Sequence, residues 1–198
     1  MDAGMGRPRS FEVEEALEAA LGVFWRKGFE GTSYADLVAA TGVERPALYS
    51  AFGNKEALFL KALDRYASHY GNYVWEAVAL ETALAVATRV LEGAIELNTR
   101  FADRAGCFGI NGALAGSDDS EASRQALIKW RADGEAVLRD RFERAKTEGD
   151  LAANADSAVL AAYILTIAHG LAVQAKAGFS REKLTAIARL ALSAWPQA

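Results

Sequence analysis

The sequence predicts an all-α protein of about nine helices. Apolar residues recur every three or four positions along most of the chain, which is the periodicity of helices packed on one face. Glycines separate these segments, and no stretch of useful length alternates polar and apolar residues as a strand does. The predicted helices are Glu12–Lys27, Ser33–Thr41, Glu44–Phe52, Lys55–Ala79, Thr82–Phe101, Cys107–Leu114, Ser120–Glu148, Asp156–Gly178 and Ser180–Trp195.

The composition is that of an ordinary globular protein, with 198 residues of which 52% are hydrophobic and 24% are charged. No apolar run reaches the roughly 18 residues that cross a bilayer, so no membrane contact is predicted. One cysteine and two histidines argue against a disulfide framework and against a usual structural zinc site. We therefore expect a cytoplasmic protein without a cofactor or metal.

The segment after the first helix carries strong local signals. Ser33 and Asp36 fit the [ST]-x-x-[DE] pattern of a helix start. Gly42 follows this helix, where glycine adopts a left-handed backbone without steric cost. Pro46 falls in the first turn of the next helix, and Asn54 can cap the one after it. A helix, a glycine-containing turn and a second helix form a helix-turn-helix pattern, although any helical hairpin in a bundle looks similar.

A longer string of residues matches a known signature: Gly28, Phe29, Thr32, Ser33, Leu37, Gly42, Val43, Leu48, Tyr49, Phe52, Lys55, Glu56 and Leu58. This string resembles the N-terminal signature of the TetR family of transcriptional repressors. The resemblance implies a DNA-binding domain at residues 1–54 and a C-terminal domain at residues 55–198 that forms a homodimer and binds a small effector.

The resemblance also implies which residues contact operator DNA. The helix Glu44–Phe52 would lie in the major groove, where the fork of Arg45 fits guanine O6 and N7. Pro46 and Ala47 would contact a thymine methyl group, and Ser50 a base or a phosphate. The backbone N–H of Lys55 would add an anion site. The predicted phosphate contacts are Thr32, Ser33, Tyr49 and Lys55.

The polar arm at residues 1–10 adds two cations, Arg7 and Arg9, that could reach a phosphate or the minor groove. A disordered tail is the alternative interpretation.

The charge balance argues against DNA binding. The net charge is −4, and acidic residues outnumber basic ones in the N-terminal part of the chain. Affinity for DNA would therefore depend on the placement of a few cations. Two alternatives stay open: a TetR-like protein that has lost operator binding and acts through protein partners, and a helical ligand carrier or enzyme. The sequence shows no nucleophile with a nearby base that would favour an enzyme.

Aromatic residues spread over the predicted C-terminal helices, where the resemblance places a ligand pocket with mostly apolar walls. Core packing is the alternative for each of them. The candidate contacts to a small, mostly apolar effector are Trp75, Asn98, Phe101, Phe108, Asn111, Trp130, Arg131, Phe142, Tyr163 and His169.

Cys107 follows Gly106 at a predicted helix start, where the helix dipole would lower the pKa of a thiol. Cysteine is also among the most frequently buried residue types. A redox or electrophile sensor and a packing residue are both open, and we expect the packing residue.

The two predicted helices Asp156–Gly178 and Ser180–Trp195 are apolar over more than one stripe, so each needs two partners. The resemblance implies that they pair with their copies in a dimer, and a monomeric bundle is the alternative. We expect the helix Lys55–Ala79, with a kink at Gly71 and Asn72, to be the only long element that touches both domains.

Overall fold

The computed structural model describes residues 12–111 and 121–196, and these residues are all helical or loop. The predicted all-α fold is confirmed. The predicted arm at residues 1–10 and the end of the predicted helix Cys107–Leu114 lie outside the described residues. The helices in the described ranges are α1 (Val13–Lys27), α2 (Tyr34–Thr41), α3 (Arg45–Phe52), α4 (Lys55–His69), α5 (Tyr73–Ala77), α6 (Ala83–Arg100), α7 (Phe108–Asn111), α8 (Glu121–Thr147), α9 (Ser157–Lys176) and α10 (Arg181–Leu192).

The local signals of the helix-turn-helix segment form the structures that they predict. Ser33 Oγ accepts a hydrogen bond from the Asp36 N–H at 3.1 Å, and the Asp36 carboxylate accepts one from the Ser33 N–H at 3.0 Å. Gly42 ends α2 in the left-handed region, with φ 67° and ψ 11°. Asn54 Oδ1 accepts from the Ala57 N–H at 2.8 Å and so caps α4. These contacts fix where α2 and α4 begin and where α2 ends.

Helices α1 to α4 share one apolar core. Leu37 of α2 and Leu48 and Phe52 of α3 are buried in it. Phe24 of α1 meets Phe59 of α4 edge to face, with 5.1 Å between the ring centroids. The same core continues into the C-terminal part of the chain through α7 and α8. Packing therefore holds the helix-turn-helix against the rest of the described protein.

The predicted helix Lys55–Ala79 is wrong as a single helix. Its two parts are α4, which ends at His69, and the short α5, which starts at Tyr73. The break falls at the predicted kink. A Cβ atom at Gly71 would lie 2.8 Å from the ring of Trp130, so the backbone must pass close to this indole.

Helix α1 is a second long element that joins the two regions, which the sequence did not predict. The Trp25 indole N–H donates a buried hydrogen bond of 2.6 Å to the Gly106 carbonyl in the loop between α6 and α7. The same indole packs edge to face on Tyr66 and Tyr70 of the α4 segment, at 4.8 and 5.4 Å between centroids. The loop and α4 therefore both hold α1 in place.

A charged network surrounds this contact. The Glu18 carboxylate accepts hydrogen bonds of 2.6 Å from Tyr70 Oη and from Arg65 Nε, and it lies 3.6 Å from a guanidinium nitrogen of Arg104. Burial raises the pKa of Glu18, but the hydrogen bonds from Tyr70 and Arg65 outweigh it, so that the pKa is lowered. Glu18 is therefore a carboxylate that links α1 to α4 and to the α6–α7 loop.

The sequence analysis expects no apolar segment long enough to cross a bilayer. Helix α9 is an exception, because its length and composition would allow it to do so. A core helix of a globular protein passes the same test. One face of α9 is buried among α6, α8 and α10, through residues such as Ile164, Ala168 and Leu171. The opposite face carries the exposed side chains Val159 and Val173.

Candidate DNA-binding and effector sites

Helix α3 presents one polar face to the solvent. Its apolar residues Leu48 and Phe52 point into the core, whereas Arg45, Pro46 and Ser50 are exposed. Tyr49 is 42% exposed, and Ala47 is partly buried against the core. The predicted contacts on α3 thus lie on the open surface of the second helix of the helix-turn-helix, apart from the partly covered Ala47.

Arg45 does not extend freely into the solvent. Its guanidinium carbon lies 4.1 Å from the ring centroid of Tyr34, and 5.7 Å from that of Tyr49. The two tyrosine rings stack, with 5.4 Å between centroids and 18° between planes. Arginine on an aromatic face is held by cation–π attraction and by stacking of two planar groups.

The hydroxyl groups of this cluster influence each other's protonation. The pKa of Tyr49 is lowered, first by the neighbouring Tyr34 hydroxyl and then by Arg45. The pKa of Tyr34 is raised, first by burial and then by the Tyr49 hydroxyl. The predicted anion site at the Lys55 N–H stays a prediction.

Thr32 and Lys55, which are predicted to contact phosphates, form internal hydrogen bonds in the structure. Thr32 is 1% exposed, and its hydroxyl donates to the Gly28 carbonyl at 2.6 Å. The Lys55 ammonium donates to the carbonyls of Phe29 and Thr32 at 3.0 and 3.1 Å, and lies 4.2 Å from the Phe29 ring centroid. Both groups therefore hold the turn between α1 and α2. Ser33 is exposed, but its hydroxyl serves the α2 cap.

Four predicted effector contacts meet around one small cavity in the C-terminal part. Its volume is about 20 Å³, which is roughly enough for one water molecule. The walls come from α5, α8 and α9. They are formed by Tyr73, Val74, Trp75, Trp130, Arg131, Gly134, Leu165 and His169.

Trp130 is one of the wall residues of this cavity. Its indole packs at 6.5 Å from the Trp75 ring and edge to face on Tyr66. A Cβ atom at Gly109 would lie 2.6 Å from this ring, so the indole fills the space beside Gly71 and Gly109. Within the described ranges, the buried Trp130 Nε1 has no hydrogen-bond partner.

His169 is a titratable wall residue whose pKa is strongly altered. Burial lowers its pKa to about 4, and the nearby positive charge of Arg131 adds to the effect. The imidazole is consequently neutral near pH 7 and can both donate and accept a hydrogen bond.

The other predicted effector contacts lie away from this cavity. Phe142 is fully buried against Trp195, at 5.3 Å between centroids, because its side of α8 faces the second apolar core. The Tyr163 hydroxyl donates to the Ala191 carbonyl on α10 at 2.9 Å. Phe101 and Phe108 pack at the junction with α1 and α4, where Trp25 and Tyr66 are their respective neighbours.

Two amides remain from the predicted set. Asn98 is buried in α6, and its Oδ1 has no hydrogen-bond partner within the described part of the chain. Asn111 ends α7, and its side chain lies outside the described residues.

Cys107 is a buried thiol. Its Sγ lies 3.3 Å from the Tyr66 hydroxyl, and burial raises the pKa of the thiol despite that hydrogen bond. The thiol is therefore protonated near pH 7, which favours the packing interpretation over a reactive sensor.

Sequence reasoning missed Tyr34 beside Arg45, and it missed four residues of the cavity wall: Tyr73, Val74, Gly134 and Leu165. Positions four apart on a helix share a face, and this spacing relates Gly134 to Trp130 and Leu165 to His169. That signal could have found two of the missed wall residues. Tyr34 follows Ser33 at the start of α2, and no spacing rule relates it to α3.

An exposed second helix of a helix-turn-helix, joined to a larger helical body, is typical of a DNA-binding transcriptional regulator. Residues 16–62 match the profile of bacterial regulatory proteins of the tetR family, and residues 83–191 match the tetracyclin repressor-like C-terminal domain. The chain belongs to the TetR family.

Individual relatives agree with this assignment. The HTH-type transcriptional repressor ComR of Escherichia coli (strain K12) is 36% identical over 197 residues, which cover 97% of this chain and 92% of ComR. The repressor BdcR of the same strain is 30% identical over 192 residues, which cover 94% of this chain and 90% of BdcR. A cysteine mutant of the TetR family regulator CifR, solved with a 26-base-pair operator duplex, is 39% identical with a TM-score of 0.91. The match covers 96% of this chain and all of the CifR chain.

The internal role of Lys55 leads to a prediction about stability. Replacing it in Lys55→Met keeps the apolar stem but removes the charged donor, which should lower the free energy of unfolding by about 1–3 kcal/mol. Urea denaturation followed by circular dichroism measures this change. Lys61→Met, at an exposed position of the same helix, is the control and should change stability by less than about 0.5 kcal/mol. If Lys55→Met leaves the stability unchanged and reduces the salt dependence of DNA binding, then Lys55 contacts a phosphate and its internal role is refuted.

Proposed function

We propose that this protein is a homodimeric, effector-responsive repressor that binds a pseudo-palindromic operator. The exposed face of α3, with Arg45 held at its N-terminal end, is the observation that carries the proposal. The similar proteins ComR and BdcR are named repressors, and the similar CifR mutant was solved on operator DNA. The negative net charge is consistent with a protein whose affinity for DNA depends on the placement of a few side chains.

On operator DNA, α3 would enter the major groove and Arg45 would read a guanine through O6 and N7. Pro46 would contact a thymine methyl group, and Ala47 would contribute less because it is partly covered. Tyr49 and Ser50 are exposed on the same helix and would bind phosphates or base edges. Thr32 and Lys55 are left out of this set because their polar groups bind backbone carbonyls.

The role of Arg45 is tested by base preference. An operator is first selected from random duplexes with the wild-type protein. Arg45→Ala should then weaken binding by about 1–3 kcal/mol and relax the preference at one base pair of each half-site. Fluorescence anisotropy with a panel of substituted operators measures both effects. Arg139→Ala removes an exposed arginine of α8 and should leave the preference unchanged. An unaltered preference in Arg45→Ala would refute Arg45 as a base reader.

The proposed dimer uses the uncovered faces of α9 and α10. Leu190 is 73% exposed, Val159 is 62% exposed and Val173 is 51% exposed, which is unusual for large apolar side chains. A Cβ atom at Gly170 would meet no heavy atom within 4 Å, so another helix can approach α9 closely there. Leu192, by contrast, is partly covered by the protein's own core.

Leu190 therefore gives the sharpest test of the dimer. Leu190→Glu would bury an unpaired carboxylate in the proposed interface, which is strongly unfavourable, but would leave the monomer core intact. Sedimentation equilibrium should show a dimer for the wild type and a folded monomer for the variant. Leu80→Glu, at an exposed leucine of the α5–α6 loop, should remain dimeric. A monomeric wild type at micromolar concentration would overturn the proposed assembly.

The proposed effector is a small, mostly apolar molecule with one polar end. The cavity walls are largely aromatic and aliphatic, and His169, Arg131 and Trp130 Nε1 supply the polar groups. A cavity of about 20 Å³ cannot hold such a molecule unless its walls move. Binding would therefore displace Trp130 or Trp75.

This displacement offers a route to the DNA-binding helices. Trp130 contacts the backbone at Gly71, where α4 ends, and it also packs on Tyr66 of α4. Tyr66 contacts Trp25 of α1. An effector that moves Trp130 would shift α4 and α1 together and so change the spacing of the two α3 helices in a dimer. Operator DNA and effector would then weaken each other by the same factor.

A single methyl group tests the cavity. In Gly134→Ala, the new Cβ would lie 3.8 Å from Trp75 and would narrow the cavity without a clash. The change should raise the free energy of unfolding by about 0.5–1 kcal/mol because alanine favours α8.

Effectors are found by quenching of tryptophan fluorescence and titrated with and without operator. The variant should be more stable yet bind the effector more weakly. Equal effector affinity in both proteins would place the effector elsewhere, and equal affinity with and without operator would refute derepression.

A further inference from the structure

The arrangement of Tyr34 raises the question of what holds Arg45 in place. Arg45 is the first residue of α3, and its long side chain is exposed. A free arginine side chain loses much rotamer freedom when it must meet a base edge in one orientation. A contact that restricts the guanidinium before binding reduces this loss.

Tyr34 provides such a contact from a different helix. Its ring face lies 4.1 Å from the guanidinium carbon, closer than the ring of Tyr49 at 5.7 Å. The planar guanidinium can keep its outer N–H groups free while one face rests on the ring. Tyr34 is also the first residue of α2, next to the capping box of Ser33 and Asp36. The backbone that carries the ring is therefore fixed.

The Tyr34 ring is itself held by a second ring. It stacks on Tyr49 of α3, with 5.4 Å between the centroids and 18° between the planes. Contacts from α2 and α3 thus fix the surface on which Arg45 rests.

We propose that Tyr34 is a positioning residue for operator specificity, which holds the Arg45 guanidinium in the orientation that reads one base pair. The inference rests on the proposed role of Arg45 in DNA binding. Tyr34 acts through Arg45, so its removal weakens the preference for that base pair. A tyrosine that only contacted phosphate would change the affinity for all sequences alike.

The test compares three changes at position 34 on the selected operator and on the operator substituted at the Arg45-dependent base pair. Tyr34→Leu removes the ring and should reduce the preference between the two duplexes by about 2- to 30-fold, the range expected for a lost cation–π contact. Tyr34→Phe keeps the ring and should retain the preference to within about twofold. Pentafluorophenylalanine at position 34 keeps the shape but reverses the ring charge distribution, and should lose the preference as the leucine variant does.

The double variant Tyr34→Leu with Arg45→Ala shows whether the two residues act together. If Tyr34 works through Arg45, the double variant should have the base preference of Arg45→Ala alone. Thermal unfolding confirms that each variant is folded. If Tyr34→Leu is unfolded, the comparison of phenylalanine with pentafluorophenylalanine decides, because both preserve the packing.

The outcomes separate this inference from the proposed function. If the wild-type protein selects no operator, the proposed function is refuted. If Arg45→Ala leaves the base preference unchanged, the role of Arg45 as a base reader is refuted. In both cases the inference about Tyr34 is refuted as well. If Arg45→Ala relaxes the preference while the leucine or pentafluorinated variant retains it, the inference alone is overturned. A uniform loss of affinity without a change in preference also overturns it.

Discussion

The buried hydrogen bond from the Trp25 indole to the Gly106 carbonyl is the contact on which the arrangement of the two regions depends. It joins residues 81 positions apart, and it lies among the rings of Tyr66, Tyr70 and Phe101. Separating a buried donor from its acceptor costs more free energy than the hydrogen bond itself contributes. Helix α1 therefore cannot shift without moving α4 or the α6–α7 loop.

The placement of polar groups also explains how a protein with a negative net charge can bind DNA. Thr32 and Lys55 use their donors on backbone carbonyls and so keep the turn between α1 and α2 rigid. The outward face of α3 is left with a small number of groups, of which Arg45 is held on Tyr34. In the proposed mechanism, orientation of these groups compensates for the negative net charge of the protein.

Local features were predictable from the sequence because their partners lie within a few residues. The sequence patterns correctly place the residues that cap or end the helices α2, α3 and α4: Ser33, Asp36, Gly42, Pro46 and Asn54. The roles of Lys55 and Phe142 were not predictable, because they depend on carbonyls or rings far away in the chain. Both Phe142 and Trp130 are aromatic residues of α8, yet Phe142 faces an apolar core and Trp130 faces a cavity. Their different surroundings follow from the way α8 is rotated about its own axis relative to α9 and α5.

The two glycines beside Trp130 have an evolutionary consequence. Gly71 and Gly109 give the indole its space, so a side chain and not the backbone sets the size of the cavity. A smaller residue at position 130 would open the space beside Gly71 and Gly109, and a larger effector could take the place of the indole against α4. Descendants of this protein could thus acquire larger effectors through one codon change and keep the same operator.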